Sequence, residues 1–152
     1  MKYAGAGSFQ RNRPLLSFAA GYAGRMADYS FRIATQDDIQ AITDIYNAAV
    51  IRGGSSADTT PRTYAQRKAW VESHHDPYAV FVTTVPATDA ATEGGERIIG
   101  FSALSVFYDR AGYDGVTDLA YYIAPEWQGR GAGTFTLARP VSYTHLTLPT
   151  IL

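Results

Sequence analysis

The run Gln128-Gly129-Arg130-Gly131-Ala132-Gly133 is the part of this chain whose composition points most directly to chemistry. Its three glycines leave the backbone without Cβ atoms, so several N–H groups can converge on one anion. An apolar stretch able to open a helix follows. A helix start adds unpaired donors and the positive end of its dipole. Such a segment binds phosphate. Its spacing, Q-x-x-G-x-G, is neither the dinucleotide G-x-G-x-x-G nor a loop ending in Lys-Ser/Thr. A plain surface turn would show the same hexapeptide, so its flanks have to decide. Other chemistry-bearing types are sparse. The chain has no Cys, which excludes thiolate chemistry, disulfides and Cys-type zinc sites. His74, His75 and His145 show no metal spacing, and His74-His75 reads as a solvated helix end.

The elements that must position the loop can be read from periodicity and caps. Ser30 to Ala34 alternates Phe31 and Ile33 with polar residues and predicts a strand. Thr35 is a good N-cap, with Asp37 and Asp38 in the first turn. Ile39, Ile42, Ile45, Tyr46 and Ala49 recur at helical spacing, and Arg52-Gly53-Gly54 ends that helix. Thr63 caps a second helix, Tyr64 to Ser73, with Ala65, Ala69 and Trp70 as packing positions. Strands follow over Tyr78 to Val85, Arg97 to Val106 and Thr117 to Ala124, the first two joined by a long loop, Pro86 to Gly95. Gly100 marks a bulge or a close approach. Thr134 to Arg139 opens a last helix, which Pro140 is expected to stop. The order is β-α-α-β-β-β-α.

A length of 152 residues allows one domain. Apolar content of 46%, charge of 18% and a net charge of −1 are those of a soluble globular protein with no pull toward nucleic acid or an anionic membrane. No apolar run approaches the ~20 residues that span a bilayer. Residues 1–25 carry Lys2, Arg11, Arg13 and Arg25 and no acid. A targeting peptide would share that bias. Met26 makes the better domain start, so residues 1–27 are expected to be a disordered extension.

Three segments in order carry a resemblance. Asp118-Leu119-Ala120-Tyr121-Tyr122-Ile123-Ala124-Pro125-Glu126-Trp127 leads into the glycine run, and Phe31-Arg32-Ile33-Ala34-Thr35-Gln36-Asp37-Asp38-Ile39 stands far upstream. Together they resemble the GCN5-related N-acetyltransferases, with Gly129 to Thr134 as the acetyl-CoA pyrophosphate loop. Within that family the loop Tyr108-Asp109-Arg110-Ala111-Gly112-Tyr113-Asp114 resembles the phosphinothricin and methionine sulfoximine acetyltransferases. The resemblance spans about residues 31–134. It implies an α/β (α+β) fold, with a mixed, mostly antiparallel sheet flanked by helices. It also implies a cytoplasmic enzyme that moves acetyl from acetyl-CoA to a small amino-acid-like amine, without metal, nucleic acid or membrane. A homodimer is open for the full-length protein.

The same resemblance distributes roles. Gly129, Arg130, Gly131, Ala132, Gly133 and Thr134 would hold the pyrophosphate, and Tyr121, Tyr122 and Ile123 the pantetheine arm. Asp118 stands where the subfamily has a Glu general base. Asp is one methylene shorter, so it would reach the amine through a water. Arg110 and Tyr113 match positions at the substrate's acidic end, which suits a guanidinium fork. Tyr108 replaces a subfamily Lys, which leaves the exact acceptor open. Each has a plainer alternative: core packing for the tyrosines, a solvated loop for Arg130 and Arg110, a strand-start cap for Asp118. Other acceptors, such as a polyamine, an antibiotic or a protein N-terminus, also stay open.

Only 19 residues follow Gly133, where the family has a further helix, strand, helix and strand. Val141 to Thr150 resembles a translated adapter sequence from DNA library preparation. Residues 28–139 are therefore expected to be a partial domain and 140–152 a non-native tail, and a chain cut there is expected to be a non-functional fragment.

Overall fold

The computed structural model describes residues 28–87, 95–113 and 116–147, with 141–147 as backbone. The expected extension over 1–27, most of the loop after Pro86, Asp114 and the last five residues lie outside the described residues.

Four strands form one antiparallel sheet in the order β1 (Ser30–Ile33), β2 (Ala79–Pro86), β3 (Glu96–Val106), β4 (Thr117–Ile123). α1 (Ile39–Arg52) and α2 (Tyr64–Glu72) link β1 to β2, and α3 (Ala132–Thr147) follows β4. The element order is the one expected from the sequence.

The start of α1 is fixed by one carboxylate. Asp38 Oδ2 accepts from the Thr35 N–H at 2.7 Å and its hydroxyl at 3.0 Å, while Arg32 donates to both Asp38 oxygens at 2.7 and 3.0 Å. Burial pushes the Asp38 carboxyl up, but these bonds outweigh it and hold it below the usual carboxylate range. Ile39, Ile42, Ile45, Tyr46 and Val50 then turn one face of α1 onto the sheet. Gly53, at φ 76°, ends the helix and donates to the Ala49 and Val50 carbonyls. Thr63 and Gln66 form a reciprocal capping box at α2.

β2 is buried along its length because both faces are covered. Val80 and Val82 pack with Phe101 and Ala103 under α1. Phe81 packs with Leu104 on the other face, where Val85 and Ile99 meet Ala132 of α3. A buried hydroxyl pair, Thr83 Oγ1 to Thr136 Oγ1 at 2.6 Å, ties β2 to α3. Gly100 is both a bulge neighbour and a close approach. The β2–β3 register slips between Thr83 and Thr84, and a Cβ at 100 would stand 2.5 Å from Ile123 Cδ1 and 2.9 Å from the Tyr122 carbonyl.

Three expectations need correction. α3 runs through Pro140 to Thr147 instead of stopping there. Proline forfeits one ladder bond, but its ring is fully buried, which offsets the loss. On α2, Ala65 and Ala69 are exposed; the inward residues are Arg67 and Trp70. His74 is half-buried, with Nδ1 2.7 Å from the Trp70 carbonyl and Nε2 2.9 Å from Ser105 Oγ. That is a tertiary lock, not a solvated helix end.

Candidate functional site

Ala124 and Pro125 end β4 in a 3-10 turn, Pro125–Trp127, and the chain then enters the glycine run. Gly129 and Gly131 have φ of 72° and 88°, a region that L side chains rarely occupy. These two residues turn the chain from the sheet into α3. Gly131 caps the helix, its carbonyl accepting from Phe135 N–H at 3.0 Å. Ala132, Gly133 and Thr134 form the first turn, and their N–H groups have no acceptor within the helix. Those three donors and the helix dipole face the same end. Ala132 itself is buried against Val85 and Ile99, so only its backbone is available.

Two side chains set the loop's position. Gln128 donates to the Ile123 carbonyl at 3.0 Å and accepts from Arg52 at 2.8 Å, which joins β4, the loop and the end of α1. The Tyr29 hydroxyl donates to the Arg130 carbonyl at 2.9 Å. The Arg130 guanidinium lies 5.3 Å from the centre of the Trp127 ring.

A groove of about 330 Å³ runs beside the loop. Tyr121, Tyr122, Ile123, Gly129 and Gly133 line it, so the structure brings these expected residues together. Among the described residues β4 has a neighbouring strand on one side only. The sequence reading missed the opposite wall, Ala49, Arg52 and Ser55. Arg52-Gly53-Gly54 was legible only as a helix end, although a cation beside a phosphate-type loop is a signal in itself. Among the described residues the groove wall carries one cation, Arg52, and no carboxylate. It fits a ligand with a phosphate group at the loop and an extended arm along the strand.

Asp118 is not on that wall. It is exposed, near the start of β4, opposite Ser105 of β3. Five steps along the strand separate it from Ile123, roughly 17 Å. Side chains alternate along a strand, so Asp118 shares a face with Ala120 and Tyr122. Tyr122 packs against α1 through the Tyr46 ring, 5.1 Å between centroids. Asp118 therefore faces the α1 and α2 side. No hydrogen bond ties its carboxylate to another described residue.

Arg110 and Tyr113 sit on the exposed loop between β3 and β4. Tyr108 connects them: the Arg110 guanidinium lies 5.2 Å from its ring centre, and the Tyr113 ring 5.7 Å from it. Neither residue reaches the groove. Thr134 and Arg130 are exposed beside the loop. Among the described residues no His, Asp and Glu cluster suits a metal ion, and no helix is long and apolar enough to cross a membrane.

No protein-family model matches the chain. It is 32% identical over 110 residues to an N-acetyltransferase of Streptomyces griseus, covering 71% of this chain and 55% of that one. It is 31% identical over 114 residues to a phosphinothricin N-acetyltransferase of Streptomyces coelicolor, covering 74% and 63%. The chain thus spans little more than half the length of these relatives. Among solved structures, a phosphinothricin acetyltransferase of the GNAT superfamily from Sinorhizobium meliloti, in complex with acetyl-CoA, superposes with a TM-score of 0.64 at 25% identity, covering 78% of this chain and 60% of that one. A Salmonella typhimurium protein assigned as an acetyltransferase, solved with its cofactor acetyl-CoA, superposes at 0.68 with 24% identity over 78% and 64%.

Proposed function

The chain is phosphinothricin acetyltransferase-like and has the GCN5-related N-acetyltransferase fold, and from that premise we propose that it belongs to an enzyme acetylating the amine of a small amino-acid-like acceptor. One observation carries this reading. The edge of β4 that has no neighbouring strand among the described residues lines a single groove with the glycine loop, as an extended ligand with a pyrophosphate would require. Acetyl-CoA, when bound, supplies an activated acyl group as a thioester.

The backbone donors of Ala132, Gly133 and Thr134, with those of Gly129, Arg130 and Gly131 before them, hold the pyrophosphate. Arg52 adds a cation at the groove wall. Tyr121, Tyr122 and Ile123 align the arm along the strand edge. Asp118 acts as general base. An amine is a nucleophile only once its extra proton is gone, and the Asp118 carboxylate, which has no partner among the described residues, takes that proton, directly or through one water. Arg110 and Tyr113 meet the acceptor's acidic end from the β3–β4 loop.

The test is turnover of phosphinothricin with acetyl-CoA by the full-length enzyme, with Asp118→Asn and Arg110→Ala beside the wild type. Asp118→Asn should lower kcat by about 10²–10⁴-fold and keep acetyl-CoA affinity. The deficit should shrink at high pH, where the amine is already neutral. Arg110→Ala should raise KM for the acidic acceptor. Unchanged kcat at every pH removes Asp118 from the chemistry. Turnover of polyamines but not amino acids replaces the acceptor class.

A further inference from the structure

A second cavity, also of about 330 Å³, lies between α1, the segment 53–63 and α2. Tyr46, Asp58, Arg62, Gln66, Arg67 and Trp70 line it. No role assigned so far uses it.

Arg67 is the residue that demands an account. It is only 6% exposed, yet it carries a charge. Its guanidinium carbon stands 3.9 Å from the centre of the Tyr46 ring and 4.6 Å from that of Trp70. Its Nε is buried with no hydrogen-bond partner among the described residues. A buried donor left unpaired costs free energy, and a buried charge costs more. Burial dominates its electrostatics and lowers the guanidinium's proton affinity against the pull of the Tyr46 hydroxyl. Fold stability alone would favour an apolar side chain here.

The one acid on the wall does not balance Arg67. Asp58 accepts from Arg62 Nε at 2.7 Å and Nη2 at 2.5 Å, and from the Tyr46 hydroxyl at 2.5 Å. Arg62 and then Tyr46 hold its carboxyl down at about 2. Asp58 and Arg62 neutralise each other, and Gln66 is occupied in the cap of α2. The charge on Arg67 is what remains among the lining groups.

We propose that this cavity is an oxyanion subsite in which Arg67 receives a carboxylate of the acceptor. The planar fork of Arg suits a carboxylate or phosphinate, and the two rings against it leave its edge donors for the ligand. The location fits. Tyr46 packs on Tyr122, which lines the first groove, so one pair of rings separates the two cavities. The volume suits an amino-acid-sized guest. This assignment rests on the acetyl-transfer reading only for calling the guest an acceptor; anion binding at Arg67 does not depend on it.

The experiment uses the full chain with Trp127→Phe, so that Trp70 is the one remaining indole, and glutarate as an amine-free probe. Glutarate should change Trp70 emission saturably. Arg67→Met should weaken binding at least about tenfold, the worth of one charge-assisted hydrogen bond. It should also melt no lower than its parent, since an apolar isostere replaces an unpaired buried charge. Arg67→Lys keeps the charge but loses the fork and should bind severalfold more weakly. Parental glutarate affinity in Arg67→Met overturns the subsite. If Arg67→Met does not fold, Arg67→Lys decides alone, and parental affinity there overturns it. Arg67-dependent glutarate binding, with no acetyl transfer by the full-length enzyme, keeps the subsite and removes the acetyl-transfer reading. Acetyl transfer whose KM for phosphinothricin ignores Arg67 does the reverse.

Discussion

The two glycines that line the first groove should respond to alanine in opposite directions. At Gly133 a new Cβ would meet Tyr121 Cε2 at 3.7 Å and Ile123 Cγ1 at 3.9 Å, which is ordinary contact. The residue sits in the first turn of α3, where exchanging Gly for Ala gains up to about 1 kcal/mol of helix propensity. At Gly129 a Cβ meets nothing within 4 Å, but φ is +72°. An L residue held there costs about 1–2 kcal/mol. The contrast between Gly133→Ala and Gly129→Ala is therefore about 1–3 kcal/mol. In a chain of this length that separates their melting temperatures by roughly 2–12 °C. Affinity for acetyl-CoA should split as well. Gly133→Ala keeps every backbone donor and should bind within about threefold of wild type. Gly129→Ala relieves its strain only by turning the loop, and one lost charge-assisted bond, about 1.5–3 kcal/mol, weakens binding by roughly 10–100-fold. Thermal melts and calorimetric titration measure both. Shifts of the same sign in the two variants, or equal loss of acetyl-CoA binding, would refute the assignment of backbone conformation as the determinant of this loop.

Two further outcomes concern the fold. Asp38 and Asp58 have folded-state affinities for protons below those of free carboxylates, Asp58 at about 2. Their contribution is complete above the ordinary carboxylate range, about pH 4, and is lost as pH falls through their folded values. Melting temperature should therefore drop between about pH 4 and 2, and Asp58→Asn should flatten that limb; an unchanged slope in Asp58→Asn overturns the role of its fork with Arg62. Gly100→Ala puts a methyl 2.9 Å from a backbone carbonyl on the neighbouring strand. It should cost about 1–3 kcal/mol by overpacking and widen β3 from β4; a chemical melt equal to wild type would show that the strands can part freely.

Local signals made much of this molecule legible. The helical spacing of Ile39, Ile42, Ile45 and Tyr46, the caps at Thr35 and Thr63, and the Arg52-Gly53 stop all act within a few residues, and each appears where expected. Gly100 was informative because a missing side chain marks a place where something else must fit. What stayed hidden depends on distant partners. A charged residue is a poor choice for a buried helix face, and Arg67 is covered only because Tyr46, 21 positions earlier, supplies a ring beneath it. His74 is locked by Ser105, on β3. Pro140 is tolerated inside α3 because its ring is buried, which local propensity does not register. The wall of the first groove opposite β4 comes from α1 and the segment after it, and no spacing rule links Ala49 or Ser55 to Gly129.

The bond from Arg52 through Gln128 to the Ile123 carbonyl has a mechanical meaning. It spans three elements with two hydrogen bonds, at 2.8 and 3.0 Å, and anchors the loop where it leaves β4. A loop with two glycines at positive φ has many shapes to choose from, and a ligand that had to select one would lose much of its binding free energy doing so. The Gln128 amide makes that selection in advance. It works as a latch: changing it to an apolar side chain would leave every phosphate-facing donor present, yet none of them aimed.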